Sequence, residues 1–228
     1  MTSLASRSRK AARLARSLFS SETALFRHSI SQFEQELITI HPGEFFATRE
    51  DTIISTVLGS CVAVGLYDAQ ARLGGLNHFM LPEELGKIDI VRSPNAKYGM
   101  YAMELLINDL LKLGSKKSAL AAKVFGGGAV LRFANGGSSK IPGNNIDFAF
   151  EYLKKEGIPV TASDVGGQEP RKIFFFAQTG KVLLKRISGT IADLAEKEEE
   201  RYLSDFFIKE HEGEVTLFGA DDKDKNKQ

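Results

Sequence analysis

The chain has 228 residues, 43% of them hydrophobic and 26% charged, with a formal net charge of +1. That is enough for one domain with a sizeable core, and it gives no global argument for a nucleic-acid partner or a strongly acidic one. A single cysteine excludes an intramolecular disulfide framework and a cysteine-based zinc site and fits a reducing compartment, while no apolar run approaches the ~20 residues needed to span a membrane.

Residues 1–35 are rich in Arg, Ser and Ala and lack the apolar core of a secretory signal. They read as a weakly ordered extension in which Leu14, Leu18 and Phe19, at helical spacing, predict a short amphipathic helix. Alternating and β-branched runs then predict strands at 36–41, 51–57, 62–67 and 75–81, with Leu58-Gly59-Ser60 breaking the pattern between the second and third. Residues 83–95 are polar and read as a loop. Tyr98, Tyr101, Ala102, Leu105, Leu106 and Leu110 share one face of a helix over 96–113, ended by Gly114. A strand at 119–125 leads into Gly126-Gly127-Gly128, and residues 132–143 read as loop. A second helix over 144–156, a strand at 158–165 and a hairpin of 172–177 with 181–187 complete an α/β (α+β) domain over 36–189. Residues 190–228 hold a third helical stretch and a tail. The first half of the helix is Glu-rich (AEKEEER). Tyr202, Leu203, Phe206 and Phe207 make its second half amphipathic, suited to docking on the domain or on a partner. The tail ends in the wholly polar DDKDKNKQ, predicted to be disordered.

The stretch STVLGSCVAVGLYDAQARLGGLNHFMLP, residues 55–82, holds the only cysteine and one of four histidines. Beside Val62, Ala63 and Val64, Cys61 reads as a small buried apolar residue. Yet Gly59-Ser60 interrupts an apolar strand directly before the thiol. Such a turn lets backbone approach a substrate and can aim N–H groups at a carbonyl oxygen. His78 alternates with Leu76 and Met80 on one strand face, where a histidine needs a partner, and a thiol supplies one. A free thiol is only a few per cent ionised near neutrality, and an adjacent imidazole can both activate it and protonate a leaving group. His28, His41 and His211 present no comparable case.

The run LGSCVAVGLYD followed by GGLNHFMLP resembles CheD, the chemoreceptor glutamine deamidase family of bacterial and archaeal chemotaxis. The Gly-Ser-Cys turn, a His seventeen residues after the Cys, KVFGGGA at 123–129, DVGG at 164–167 with Arg171 after it, and TGKVLLKRI at 179–187 match in order. The likeness covers residues 36–189. It implies a three-layered α/β/α sandwich like the catalytic domain of cytotoxic necrotizing factor. It implies hydrolysis of selected receptor glutamine side chains to glutamate by a Cys-His-hydroxyl mechanism with no cofactor and no metal, that is, a protein-glutamine glutaminase, with receptor glutamate methyl esters as a second substrate. The nucleophile would be Cys61, the acid/base His78, and the oxyanion turn Gly59 and Ser60. The family's third residue, typically Thr six positions before the Cys, falls on Ser55 here, with Thr56 beside it as the alternative hydroxyl. Where the family shows Ile-Gly before an Asn, this chain has Ile141-Pro142-Gly143-Asn144-Asn145, which leaves the matching Asn open.

The partners so implied are the helical cytoplasmic regions of chemoreceptors and a CheC-type phosphatase, with a cytoplasmic location and a peripheral position near the membrane through the receptors. The alternative is a binding regulator of that phosphatase with weak or lost catalysis; a Cys peptidase would share the nucleophile chemistry. Gly126-Gly127-Gly128 lacks a nucleotide-binding continuation and reads as close packing near the site. Asp164 and Arg171 read as a structural ion pair.

Overall fold

The computed structural model describes residues 35–81, 97–130, 139–188 and 190–211. Nine strands and three longer helices follow one another along these segments: β1 (Glu36–Thr39), β2 (Phe45–Thr48), β3 (Thr52–Leu58), β4 (Val62–Asp68), β5 (Leu73–Asn77), α1 (Lys97–Lys112), β6 (Ala121–Gly126), α2 (Ile141–Lys155), β7 (Val160–Val165), β8 (Arg171–Phe176), β9 (Val182–Arg186) and α3 (Thr190–His211). The chain is a mixed α+β protein.

The strands form two sheets, one ordered β1-β3-β8-β9 and the other β2-β5-β4-β6-β7. β1 with β3 and β6 with β7 run parallel; every other pairing is antiparallel. β3 and β4 are buried along almost their whole length, which is why they read as near-continuous apolar runs. The sheets face each other. Ile54 and Leu58 of β3 and Ile173 and Phe175 of β8 pack against Ala63, Leu76 and Phe125 of the five-stranded sheet. Gly65 makes that approach close: a Cβ there would lie 2.5 Å from the Phe175 ring.

The other face of the five-stranded sheet is covered by α1 and α2. Met103, Leu106, Ile107 and Leu110 of α1 and Phe148, Ala149, Tyr152 and Leu153 of α2 close a second core with Val62, Val64, Leu66 and Val124. Phe79 meets Phe148 edge to face at 5.5 Å. The layers are therefore helices, five-stranded sheet, four-stranded sheet. Among the described residues α3 adds no layer of its own over the four-stranded sheet. It crosses the edge at which the parallel strands β1 and β3 end, meeting His41, Gly43 and the Gly59–Cys61 turn.

The structure departs from the sequence reading at four places. Tyr101, expected on the apolar face of α1, is exposed, while Met103 and Ile107 are buried beside Leu106 and Leu110. β2 lies in EFFATRE, where bulky residues without a clean alternation hide a four-residue edge strand. The strand expected to reach residue 81 ends at Asn77, and only a single bridge from Phe79 to Val62 continues it. α2 begins at Ile141, earlier than expected, because Pro142 in the first turn of a helix gives up only an N–H that has no helical partner there. The expectations for residues 1–34, the loop at 83–95, most of the loop at 132–143 and the polar tail lie outside the described residues.

Candidate active site

Between β3 and β4 the chain turns through Gly59, Ser60 and Cys61, and every carbonyl of that turn is held from behind. Gly128 N–H donates to Gly59 O at 2.7 Å, Asn145 Nδ2 to Ser60 O at 2.9 Å, and Gly127 N–H to Cys61 O at 2.7 Å. Asn145 is itself fixed, its Oδ1 accepting from Leu81 N–H at 2.8 Å. The close approach needs glycine: a Cβ on Gly126, whose φ is +110°, would lie 2.2 Å from Cys61 O. With three successive carbonyls tied on one side, the three N–H groups point together to the other. That is a backbone nest built for an anion or a developing oxyanion.

Cys61 and His78 are both buried, the first completely and the second to 1% exposure. Thr56 Oγ1 lies 2.7 Å from His78 Nδ1 and 2.8 Å from Ile40 O. A carbonyl can only accept, so the single hydroxyl proton of Thr56 goes to Ile40. Thr56 Oγ1 must then accept from His78 Nδ1–H, which fixes the tautomer with its lone pair on Nε2. Nε2 has no hydrogen-bond partner among the described residues. It is the nitrogen left to take a proton from a thiol.

The nest is filled by a side chain of the chain itself. Glu199 of α3 is 1% exposed. Its Oε1 accepts from Gly59 N–H at 2.9 Å and Cys61 N–H at 3.0 Å; its Oε2 accepts from Ser60 N–H at 2.8 Å and Ser60 Oγ–H at 2.6 Å. Four donors satisfy a carboxylate that burial would otherwise make very costly. Cys61 Sγ, a ring nitrogen of His78 and a Glu199 oxygen lie within 4.8 Å of one another. A thiolate, an imidazole and a carboxylate could together hold a soft divalent ion. Here the carboxylate's lone pairs are already taken by N–H and O–H donors.

Burial, and then the Glu199 charge, push the Cys61 thiol well above its ordinary pKa. Burial pulls His78 down to about 3. With α3 seated, the pair rests as neutral thiol and neutral imidazole. Next to it, Glu198 pairs with His41.

Among proteins of known family, the CheD description, "CheD chemotactic sensory transduction", matches residues 80–186. That match starts just beyond His78 and does not include Cys61. A Shewanella oneidensis protein named "Probable chemoreceptor glutamine deamidase CheD 1" is 45% identical over 85% of this chain and 93% of its own length. This chain belongs to the CheD family. A Laribacter hongkongensis CheD is 48% identical over 68% of the chain and 74% of its own length. One from Dechloromonas aromatica is 42% identical over 84% and 94%.

The CheD-type turn, Cys61 and His78 come together as the sequence spacing suggested. The hydroxyl beside the imidazole, however, belongs to Thr56 and not to Ser55. Alternation along β3 puts Thr56 on the inter-sheet face with Ile54 and Leu58, while Ser55 faces the other way and its Oγ has no hydrogen-bond partner among the described residues. Of the two asparagines left open, Asn145 is the one that bonds the turn, through Ser60 O. Arg171, fully buried, donates to Asp164 Oδ1 at 2.6 Å and to the Asp164 and Gly166 carbonyls, so it braces the DVGG turn that holds Ala129. Sequence reasoning missed Glu199, because a Glu in AEKEEER looks like any solvated helix charge. It also missed His41, whose only signal was its place at a strand end.

Proposed function

We propose that this chain is a chemoreceptor glutamine deamidase in which Cys61 is the nucleophile, His78 the general acid and base, and Thr56 the group that orients the imidazole. The observation that carries the reading is the convergence of the Gly59, Ser60 and Cys61 N–H groups on one side-chain carboxyl group beside the Cys61–His78 pair. A carboxyl group in that place is what hydrolysis of a glutamine side chain leaves behind.

The geometry supports the following chemistry. A glutamine Cδ placed where Glu199 Cδ sits is attacked by Cys61 Sγ as His78 Nε2 takes the thiol proton. The former carbonyl oxygen becomes an oxyanion at the Oε1 position, held by the Gly59 and Cys61 N–H groups. His78 returns the proton to the departing nitrogen, the C–N bond breaks and ammonia leaves a thioester. Water, deprotonated by His78, attacks the thioester; the C–S bond breaks and the glutamate product and free thiol result. The Nδ1–H···Thr56 bond keeps the ring in the tautomer that both half-reactions need. A glutamate methyl ester would enter the same acyl intermediate with methanol as leaving group, which makes receptor methylesterase activity part of the reading.

The substrate in this reading is a chemoreceptor, as in the names of the relatives, at its cytoplasmic region. Incubating a receptor cytoplasmic fragment with the protein should release ammonia and convert glutamines to glutamates by intact mass, without chain cleavage. No conversion with folded wild-type protein would refute the deamidase reading, and cleavage would favour a peptidase. A CheC-type phosphatase belongs to the reading as a partner; its addition should change the rate on the same fragment.

A further inference from the structure

We propose that α3 carries a built-in product analogue: Glu199 occupies the place of the glutamate that the reaction makes, and the face α3 covers is the docking surface for a glutamine-bearing helix of the substrate. The proposal rests on the deamidase reading and adds the occupant of the site and what displaces it.

The fit is that of a product. Each oxygen of Glu199 accepts two hydrogen bonds, so the nest as arranged suits a carboxylate. A carboxamide would keep its oxygen between Gly59 N–H and Cys61 N–H, and its NH2 would fall against Ser60 N–H, a donor facing a donor. Ser60 Oγ, which can turn to accept, is the one group there able to receive the amide hydrogens. Glu199 therefore holds the nest more firmly than a glutamine in the same place.

The seat is also that of a helix. Glu198, one residue before, pairs with His41. Tyr202, one turn later, packs over Gly43, where a Cβ would come within 2.9 Å of its ring. Tyr202 and Leu203 rest on the inter-sheet core. A helix thus delivers one acidic side chain to Cys61 while its neighbours at i−1, i+3 and i+4 grip the rim, which is how a side chain on a receptor helix would have to arrive. One nest holds one side chain, so substrate enters only as α3 leaves. Burial, and after it the charge of Glu199, raise the Cys61 thiol above its ordinary pKa.

The test is Glu199→Gln in the full chain. With α3 seated, the introduced carboxamide lies against Cys61 and is hydrolysed in cis: residue 199 returns to Glu, as read by peptide mass, at a rate independent of protein concentration and absent from the double variant that also carries Cys61→Ala. In parallel, Glu199→Ala should raise kcat/KM on a receptor fragment roughly tenfold or more, because the competent fraction of molecules rises. It should likewise speed alkylation of Cys61, the only thiol, a readout that needs no deamidase activity. If the carboxamide of Glu199→Gln persists while the same protein deamidates the receptor fragment, the inference is overturned and the deamidase reading stands. If Glu199→Ala stays folded yet falls to the level of Cys61→Ala, Glu199 is part of the machinery and the inference is again overturned. If no variant deamidates anything, the deamidase reading fails and takes the product analogy with it; unchanged Cys61 alkylation in Glu199→Ala would then remove the occupancy claim as well.

Discussion

Two neighbouring hydroxyls differ only in which way a strand turns them. Thr56 bridges Ile40 O and His78 Nδ1, while Ser55 bonds neither. Thr56→Ala should therefore cut turnover on a receptor fragment by about 10–100-fold and cost about 1 kcal/mol of stability for the lost bond to Ile40. Thr56→Ser should restore most of both, and Ser55→Ala should be close to wild type. The reverse ranking, with Ser55→Ala the damaging change, would mean that His78 turns to the other face during catalysis. Cys61→Ala should abolish turnover by at least about a thousandfold. The thiol is fully buried, so the change leaves a small void; a loss of about 1 kcal/mol in chemical denaturation is expected. A much larger stability loss with residual activity would mark Cys61 as a packing residue.

At the scale of elements, the site is a turn between two strands strapped by two others. The glycine run after β6 and Asn145 near the start of α2 hold the carbonyls of Gly59, Ser60 and Cys61, and only then do the N–H groups face one way. Gly126→Ala puts a Cβ 2.2 Å from Cys61 O at a φ of +110°. It should cost at least ~2–3 kcal/mol and lower Tm by roughly 5–10 °C, with activity lost together with the Gly127–Cys61 bond. Gly143→Ala, in the first turn of α2 with nothing within 4 Å, should instead be neutral or stabilise by up to about 1 kcal/mol. A thermal melt of both variants checks the contrast.

Much of this was legible in the sequence. The turn broke an apolar run, the apolar spacing over 96–113 marked α1 even though Tyr101 of that expected face is exposed, and the close-packing role of Gly126-Gly127-Gly128 followed from its lack of a nucleotide motif. What stayed hidden had physical causes. Which of two adjacent hydroxyls faces inward depends on a register that slips by one residue unless the strand's pairing is known: Thr56 lies opposite Ile173 and Ser55 opposite Phe174. Which of Asn144 and Asn145 points at the turn depends on where α2 starts. Glu199 is some 140 positions from Gly59, and no local pattern separates it from the exposed glutamates around it.

For the molecule as a whole, α3 is not an appendage to a finished domain, because Tyr202 and Leu203 cover the inter-sheet core and Glu199 fills the site. A chain ending at residue 188 should consequently show a lower Tm than one spanning 35–211 by several degrees, through apolar surface returned to water. It should also deamidate a receptor fragment faster per folded molecule. The grip of α3 should depend on pH through His41 and Glu198. The hydrogen bond to Glu198 raises His41 against the opposing effect of burial, helped by the charges of Glu198 and Glu44. Burial, which alone would raise Glu198, is outweighed by its bond to His41 and by the charge of His41, so its pKa is lowered. A raised histidine contributes stability that is complete below its unfolded value of about 6.5 and is lost as pH rises through the folded value. A lowered carboxylate contributes stability present above its unfolded value of about 4.3 and lost as pH falls through the folded one. The pair therefore holds α3 best between about pH 4.3 and 6.5 and releases it on the alkaline side. Limited proteolysis within α3, compared from about pH 6 to about pH 9 around the imidazole range, should show wild type cut more slowly than His41→Ala at the acid end. The two should converge at the alkaline end; a wild-type advantage that persists undiminished there would show that the charge on His41 does not hold the helix.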